Sequence, residues 1–348
     1  MSNEQATTAP LLSVRDLKTH FLLDEGVVKA VNGVTFDVRA GQTFGIVGES
    51  GCGKSVTIKS ILRIVEAPGK IVHGRILLRR PRRDGTGGEE ELDLTEMDPR
   101  GEEIRSIRGA QIALIPQEPM TSFSPVHTIG SQIVEAIMLH QTIGKKAARG
   151  LAHDLLRNVG IPMPERRLDE YSWQLSGGLR QRAIIAMALC CHPRLLIADE
   201  PTTAVDVTTQ AQVLRLLREL QQERNSAIIF ITHDLGVIAQ MARYVMVMYL
   251  GLVMEQGPVD AIFHAPKHPY TQALLRSIPS VSSQPRVKLP TISGSIPHPF
   301  NKPKGCPFHP RCTKRIPGRC DVRTPALQAV GDEQLASCFL YHDAEVLE

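Results

Sequence analysis

Aromatic residues are scarce in this chain, at 4%, and there is a single tryptophan, Trp173. Proteins that hold single-stranded nucleic acid by stacking need a platform of aromatic faces, and this composition does not supply one. Charge of one sign is scarce too. The formal net charge is +4 over 348 residues, and the basic run RRPRR at 79–83 is followed at 89–91 by an acidic one. That pattern fits a solvated loop better than a nucleic-acid face, so no nucleic-acid partner is expected. Long apolar runs are missing: none reaches the ~18 residues needed to span a bilayer. The opening segment MSNEQATTAP has neither the basic nor the apolar region of a signal peptide. The chain is therefore expected to stay in the cytosol and to meet a membrane only through partners. Cysteine is sparse until the end, where four of the seven fall within the last 43 residues. In a reducing compartment they are not read as disulfides.

Hydrophobic residues make up 42%, enough for the core of one large domain, or of a domain with a smaller appendage. Residues 11–20 and 34–38 alternate apolar and polar, as half-buried strands do. Short apolar runs at 43–47, 111–115, 194–198 and 227–232 read as buried strands. Helical patterns occupy 54–66, 130–140, 146–159, 179–191 and 208–224. Strands alternating with helices imply an α/β fold with a largely parallel central sheet, flanked by the antiparallel N-terminal strands. Residues 80–105, rich in Arg, Gly and Glu, read as a surface insertion. Periodicity fades near residue 277 and Pro becomes frequent, which marks a small loop-rich appendage.

Three motifs carry chemistry. Gly48-Glu49-Ser50-Gly51-Cys52-Gly53-Lys54-Ser55 follows a buried strand and opens a helix, the context of a phosphate-binding P-loop. Its glycines let backbone N–H groups approach a phosphate chain, Lys54 supplies charge to the β- and γ-phosphates, and Ser55 offers a hydroxyl to Mg²⁺. Cys52 reads as a small spacer within the loop. The apolar strand 195–198 ends in Asp199 and Glu200. Asp199 is placed to organise Mg²⁺ and Glu200 to orient or deprotonate water. Leu175-Ser176-Gly177-Gly178 followed by Gln181 precedes a long helical pattern. Ser176 suits a helix cap, but a cap explains neither glycine nor the Gln.

The LSGG segment with Gln181, lying between the other two motifs, resembles the signature of the ABC ATPases. That resemblance implies a P-loop ABC cassette over 11–276, with a parallel-sheet core, an antiparallel β subdomain and a helical signature subdomain at about 118–190, and a cysteine-rich appendage at 277–348. It implies that Ser176, Gly177, Gly178 and Gln181 serve an ATP bound by the opposite subunit. It implies also that Gln117 in IPQEP is the Q-loop residue that helps hold Mg²⁺, and that His233 in FITHD is the switch histidine. Asp206 in Thr203-Ala204-Val205-Asp206 then belongs to the D-loop, with Val in place of the usual Leu. Phe21 is the candidate adenine-stacking aromatic, although Phe36 and Phe44 lie nearby and suit the core equally.

The segments PTTAVDVTTQAQVL, QEPMTSFSPVHTIGSQIVEAI, HPYTQALLRSIP and GCPFHPRC narrow the resemblance to the oligopeptide/dipeptide importer branch, with Ser124 where Asn is common. It implies a peripheral ATPase at the cytoplasmic face, paired with a second and different ATPase, two permease subunits and an extracytoplasmic solute-binding protein. Relatives that carry nickel or oligosaccharides keep the solute open. A soluble ABC ATPase of repair or translation should show a long coiled coil or a second cassette, and neither is apparent. A redox-sensing regulatory subunit is a further alternative, opposed by Glu200 and His233.

The tail cysteines Cys306, Cys312, Cys320 and Cys338 are spaced C-x5-C-x7-C-x17-C. Four thiolates suit Zn²⁺ or an iron–sulfur cluster. Without close knuckles zinc is disfavoured, and a [4Fe–4S] cluster, which members of the branch hold, is the expectation. Zinc and uncoordinated thiols are the alternatives. Cys190 and Cys191 read as buried apolar residues.

Overall fold

In the computed structural model, residues 9–82, 87–118, 122–203, 206–278 and 292–346 are described. Their strands are β1 (Leu12–Leu23), β2 (Gly26–Val38), β3 (Thr43–Val47), β4 (Gly69–Pro81), β5 (Glu89–Asp93), β6 (Ile112–Ile115), β7 (Leu195–Asp199), β8 (Ala227–Ile231), β9 (Tyr244–Tyr249), β10 (Leu252–Pro258), β11 (Gln328–Gly331) and β12 (Gln334–Ala336). The chain divides into two units, one comprising 1–11, 38–42 and 96–231, the other 12–37, 43–95 and 232–348.

In the first unit β6, β7 and β8 run parallel, with Ile112 opposite Leu195 and Leu195 opposite Ala227. Every residue of β7 and β8 is buried. That explains their uninterrupted apolar sequences, because a parallel strand is covered on both faces. The expected helices form at Ile129–His140, Lys145–Asn158, Gly177–Leu189 and Val207–Arg224. Each boundary lies within two residues of the sequence reading. Caps set several of them. The Thr128 hydroxyl accepts from the Ser131 amide, and the Asp206 carboxylate accepts from the amide of Thr209, satisfying donors that a helix start leaves orphaned.

The second unit holds a four-stranded sheet in the order β2-β1-β4-β5, and the run β11-β12-β10-β9-β3. β1–β4 and β4–β5 pair antiparallel, while β3–β9 is parallel. Two expectations need correction here. The helix that starts at Lys54 stops at Ile61 rather than near 66. Arg63 takes a left-handed backbone and Pro68 follows, which together end helical continuation. The stretch 80–105 is not a plain insertion either. β4 runs through Pro81 and pairs with β5, so the basic and acidic runs face each other. Arg79 meets Glu91 at 3.3 Å and Arg80 meets Glu90 at 2.6 Å. Opposite charges directly across a ladder stabilise it by a few tenths of a kcal/mol to about 1 kcal/mol, a pairing that composition alone disguises as loop.

The C-terminal residues are anchored on the second unit's own sheet. β12 pairs antiparallel with β10, Glu255 opposite Ala336. Phe308 is fully buried, with its ring 5.5 Å from Tyr249 and 5.2 Å from Tyr270. Glu255, also fully buried, accepts from the amides of Lys267 and His268 and from the Gln334 side chain at 2.8 Å. A desolvated carboxylate held by three donors joins β10, the helix Pro269–Arg276 and the tail.

His268 caps that helix, accepting at Nδ1 from the Tyr270 amide. Burial lowers its pKa from 6.5 to about 3. Between those values the unfolded chain binds a proton that the folded chain refuses, so this group costs stability as pH falls from 6.5 toward 3, by up to about 1.4 kcal/mol per pH unit. Burial raises the Glu255 pKa and opposes this trend. Urea unfolding of the wild type and of His268→Asn, which keeps a cap acceptor, should therefore show a shallower acid loss in the variant. Parallel pH profiles would refute the assignment.

Candidate active site

The P-loop candidate lies wholly within the second unit. β3 delivers Gly48, and Gly53 begins the helix Lys54–Ile61. Gly48 has φ 151° and Gly53 φ 106°. A Cβ on Gly48 would overlap the Met248 carbonyl oxygen and lie 2.7 Å from the Cys52 sulfur, and one on Gly53 would overlap the Ala30 carbonyl oxygen. The loop is therefore closed against protein on that side. At Gly51 it is open, with nothing within 4 Å of a Cβ. Ser50 is exposed and Ser55 half-buried. Cys52 is buried, and burial raises its pKa, which keeps it a thiol.

Lys54 is buried, and its ammonium donates to the carbonyls of Gly48 at 2.8 Å and Glu49 at 3.2 Å, with the Cys52 sulfur at 3.8 Å. None of these partners is a carboxylate. A buried cation on neutral acceptors, at a helix N-terminus, on a loop whose open side faces outward, is chemically matched to a polyphosphate. ATP fits the residues present.

His233, also in this unit, is exposed beside Asp234, which caps the helix Leu235–Met241. Phe21 is half-buried on β1 opposite Gly69. Phe36 and Phe44 are core residues, stacked at 4.9 Å.

The first unit gathers a second group. Asp199 is buried at the end of β7. Glu200 follows with φ +47°, a left-handed backbone that is rare outside glycine and gathers at functional sites. Its amide donates to the Ile231 carbonyl at 2.9 Å. Its Oε2 accepts from Gln117 Nε2 at 3.2 Å and from the Thr203 hydroxyl at 2.9 Å. Two residues that the sequence places 83 positions apart thus meet in one hydrogen bond. Ser176 caps the helix Gly177–Leu189, accepting from the Leu179 amide at 3.4 Å. Gln181 is buried and donates to the Pro201 carbonyl at 2.8 Å, tying the signature helix to the loop after Glu200. A Cβ on Gly178 would meet Thr209 at 3.1 Å, whereas Gly177 faces open space. Asp206 is exposed, and hydrogen bonds from Thr209 lower its pKa. Ala204 and Val205, between Thr203 and Asp206, lie outside the described residues. Just ahead of the signature, Trp173 is 65% exposed and stacks on Tyr171, with ring centroids 5.7 Å apart.

The four tail cysteines do not bear out the expected iron–sulfur cluster or its zinc alternative. Among the described residues, no group of three or more His, Cys, Asp or Glu side chains is placed to hold a metal ion. Cys306, Cys312, Cys320 and Cys338 are free thiols. Burial pushes Cys306 up to about 12 and Cys338 to about 11, and also raises Cys312. Each of these favours the protonated thiol over the thiolate that a metal requires. The Cys320 sulfur accepts from the Ile316 amide at 3.3 Å. The expectation rested on the number and spacing of the cysteines and on the branch resemblance, in a loop-rich tail that still needs anchorage. The β12–β10 pairing and the buried Phe308 supply that anchorage instead.

Sequence reasoning gave no role to Thr203, Tyr270 or Arg311. All three lie inside segments that carried the family resemblance, and only the contacts reveal them. The Tyr270 hydroxyl accepts from the Glu49 amide at 3.0 Å, and Arg311 grips the Glu49 carboxylate.

The parallel strands, the P-loop and the Ser176-capped signature helix define an ABC-type ATPase cassette. A family model described as ABC transporter matches residues 31–203, and one described as oligopeptide/dipeptide transporter, C-terminal region, matches 254–320. A solved bacterial ABC transporter cassette, determined as a dimer, superposes with a TM-score of 0.61 at 23% identity. The match covers 71% of this chain and 98% of that one, a likeness of fold. The dipeptide transport ATP-binding protein DppD of Escherichia coli K12 is 44% identical over 328 residues, covering 94% of this chain and 96% of the relative. The oligopeptide transport ATP-binding protein AppD of Bacillus subtilis 168 is 46% identical over 334 residues, covering 96% and 97%. The chain belongs to this family, the ATP-binding proteins of oligopeptide and dipeptide ABC transporters.

Because the Gly53 backbone is left-handed and abuts Ala30, Gly53→Ala should destabilise the chain by at least about 1–2 kcal/mol and weaken ATP binding more than tenfold. Denaturant unfolding and equilibrium nucleotide titration check both. Wild-type affinity in the variant would show that close backbone approach is not required.

Proposed function

We propose that this chain binds and hydrolyses ATP to drive peptide uptake through membrane partners. The observation that carries the reading is the buried Lys54 ammonium on neutral carbonyls within an open glycine loop, in a chain of the peptide-transporter family. Gly48, Ser50, Gly51, Cys52, Gly53, Lys54 and Ser55 form the phosphate-binding loop, and Phe21 is the candidate adenine contact. Asp199, Ser55 and Gln117 hold Mg²⁺ when it is bound. The metal ion supplies charge neutralisation across the β- and γ-phosphates. Glu200 orients or deprotonates the attacking water, with its carboxylate aimed by Gln117 and Thr203. His233 contacts the γ-phosphate.

Ser176, Gly177 and Gly178 serve the ATP of an opposing subunit, and Gln181 and Asp206 support that surface. The open face at Gly177 supports this reading, because a second molecule can approach the backbone there. The opposing subunit is a second, different ATPase. The assembly adds two permease subunits and an extracytoplasmic solute-binding protein. The segment from Gln117 to about 135 couples the ATPase to the permease. No helix among the described residues is long and apolar enough to cross a membrane, and the chain acts as a peripheral subunit at the cytoplasmic face. Residues 11–276 form the cassette, with its helical part at about 118–190, and 277–348 form an appended tail. The relatives' names favour di- and oligopeptides over nickel or oligosaccharides as solute.

Glu200→Gln keeps shape and hydrogen bonding but removes the base. It should bind ATP normally and slow hydrolysis by about 10²–10⁴-fold. Single-turnover hydrolysis at the wild-type rate would remove Glu200 from the chemistry. Turnover should also rise with subunit concentration, because a complete site needs a second signature. ATPase activity per chain that is constant across a dilution series contradicts that requirement.

A further inference from the structure

Glu49 fills a position that the phosphate-loop pattern leaves unspecified, yet it is tied on three sides. Its amide donates to the Tyr270 hydroxyl at 3.0 Å. Its carbonyl accepts from Lys54 Nζ at 3.2 Å. Its carboxylate takes two parallel bonds from Arg311, at 2.7 and 3.0 Å. Arg311 comes from the C-terminal tail, 262 residues further along the chain, and its side chain is only 5% exposed. Arg311 also donates to the Tyr249 hydroxyl at 3.2 Å and to the Ser293 carbonyl at 3.1 Å, and its guanidinium lies 6.0 Å from the Phe308 ring centre. A bidentate, desolvated Arg–carboxylate pair is geometrically strict, unlike a surface ion pair.

The consequence lies in what Lys54 must do. A phosphate chain competes for its ammonium with the carbonyls of Gly48 and Glu49. Once Lys54 turns to phosphate, the Glu49 peptide loses that tie, and the loop keeps its shape only if Glu49 is held from elsewhere. Tyr270 holds the amide and Arg311 the carboxylate, both from the C-terminal side of the chain. We propose that Arg311 is a positioning residue that preorganises the phosphate loop through Glu49, so that the docked tail sets the affinity for ATP. Preorganisation of this kind raises affinity by removing the cost of ordering the loop on binding. The proposal rests on the reading of 48–55 as the phosphate loop.

The test is equilibrium titration of the full-length chain with a fluorescent ATP analogue and Mg²⁺, alongside thermal melting. Arg311→Gln and Glu49→Gln should each raise the Kd about tenfold. The double variant should be no weaker than the weaker single one, because both changes cut the same link. Arg311→Lys, which keeps the charge but not the fork, should fall between wild type and Arg311→Gln. Affinity in Arg311→Gln within twofold of wild type, or a hundredfold loss in the double variant, overturns the proposal. If Arg311→Gln does not fold, Arg311→Lys decides the matter by the same criterion, since it keeps a cation opposite the Glu49 carboxylate. Lys54→Ala separates the two levels. If it binds ATP as wild type does, the phosphate-loop reading itself has failed. If it loses binding while Arg311→Gln does not, only the role of Arg311 has failed.

Discussion

The constraint around which the second unit is organised is a positive charge kept out of water whose partners, among the described residues, are carbonyls and a thiol rather than a carboxylate. Lys54 holds its ammonium against two loop carbonyls, and such a group is tolerable only where the backbone is bent tightly around it. The bend demands glycine at Gly48 and Gly53, where any side chain would strike the carbonyls of Met248 and Ala30. It is fed by a fully buried strand, β3. It also needs a wall behind the loop, built from β9 and the Tyr249–Tyr270–Phe308 cluster. The phosphate binding proposed for the loop would thus depend on the packing behind it as much as on the loop's own residues.

Glu200 shows a different economy in the first unit. Its backbone sits in a region that costs of order 1 kcal/mol or more for a side-chain-bearing residue. The hydrogen bond from its amide to Ile231 and the two donors on its carboxylate oppose relaxation. The outcome is a carboxylate whose position is fixed before any substrate arrives. Gln181 extends that fixation, because its bond to the Pro201 carbonyl joins the signature helix to the same turn.

Much of this was legible in the amino-acid order. β3, β7 and β8 declare themselves because strands covered on both faces carry unbroken apolar runs, and the loop and carboxylate motifs sit at their ends. The segment proposed as the signature stood out by two glycines that a cap does not need. What stayed hidden depends on long-range pairing. The facing charges of β4 and β5 look like a polar loop until their register is known. Thr203 and Arg311 are ordinary residues until Glu200 and Glu49 are found beside them. The tail was misjudged for a related reason. Its cysteines suggested a metal by their number, spacing and branch resemblance, whereas the edge of β10 and the aromatic pocket for Phe308, which hold the tail, are supplied by other parts of the chain.

The stack of Trp173 on Tyr171 gives the molecule an optical property of its own. This is the chain's single indole, it is 65% exposed, and it stands three residues before Ser176. The intrinsic emission above the tyrosine background therefore originates from one point on the surface rather than from the core. Anything that covers or polarises that point alters the colour and intensity of the whole protein's fluorescence, while rearrangements of the distant interior leave it nearly silent. The native sequence thereby carries an unlabelled optical reporter beside its signature helix.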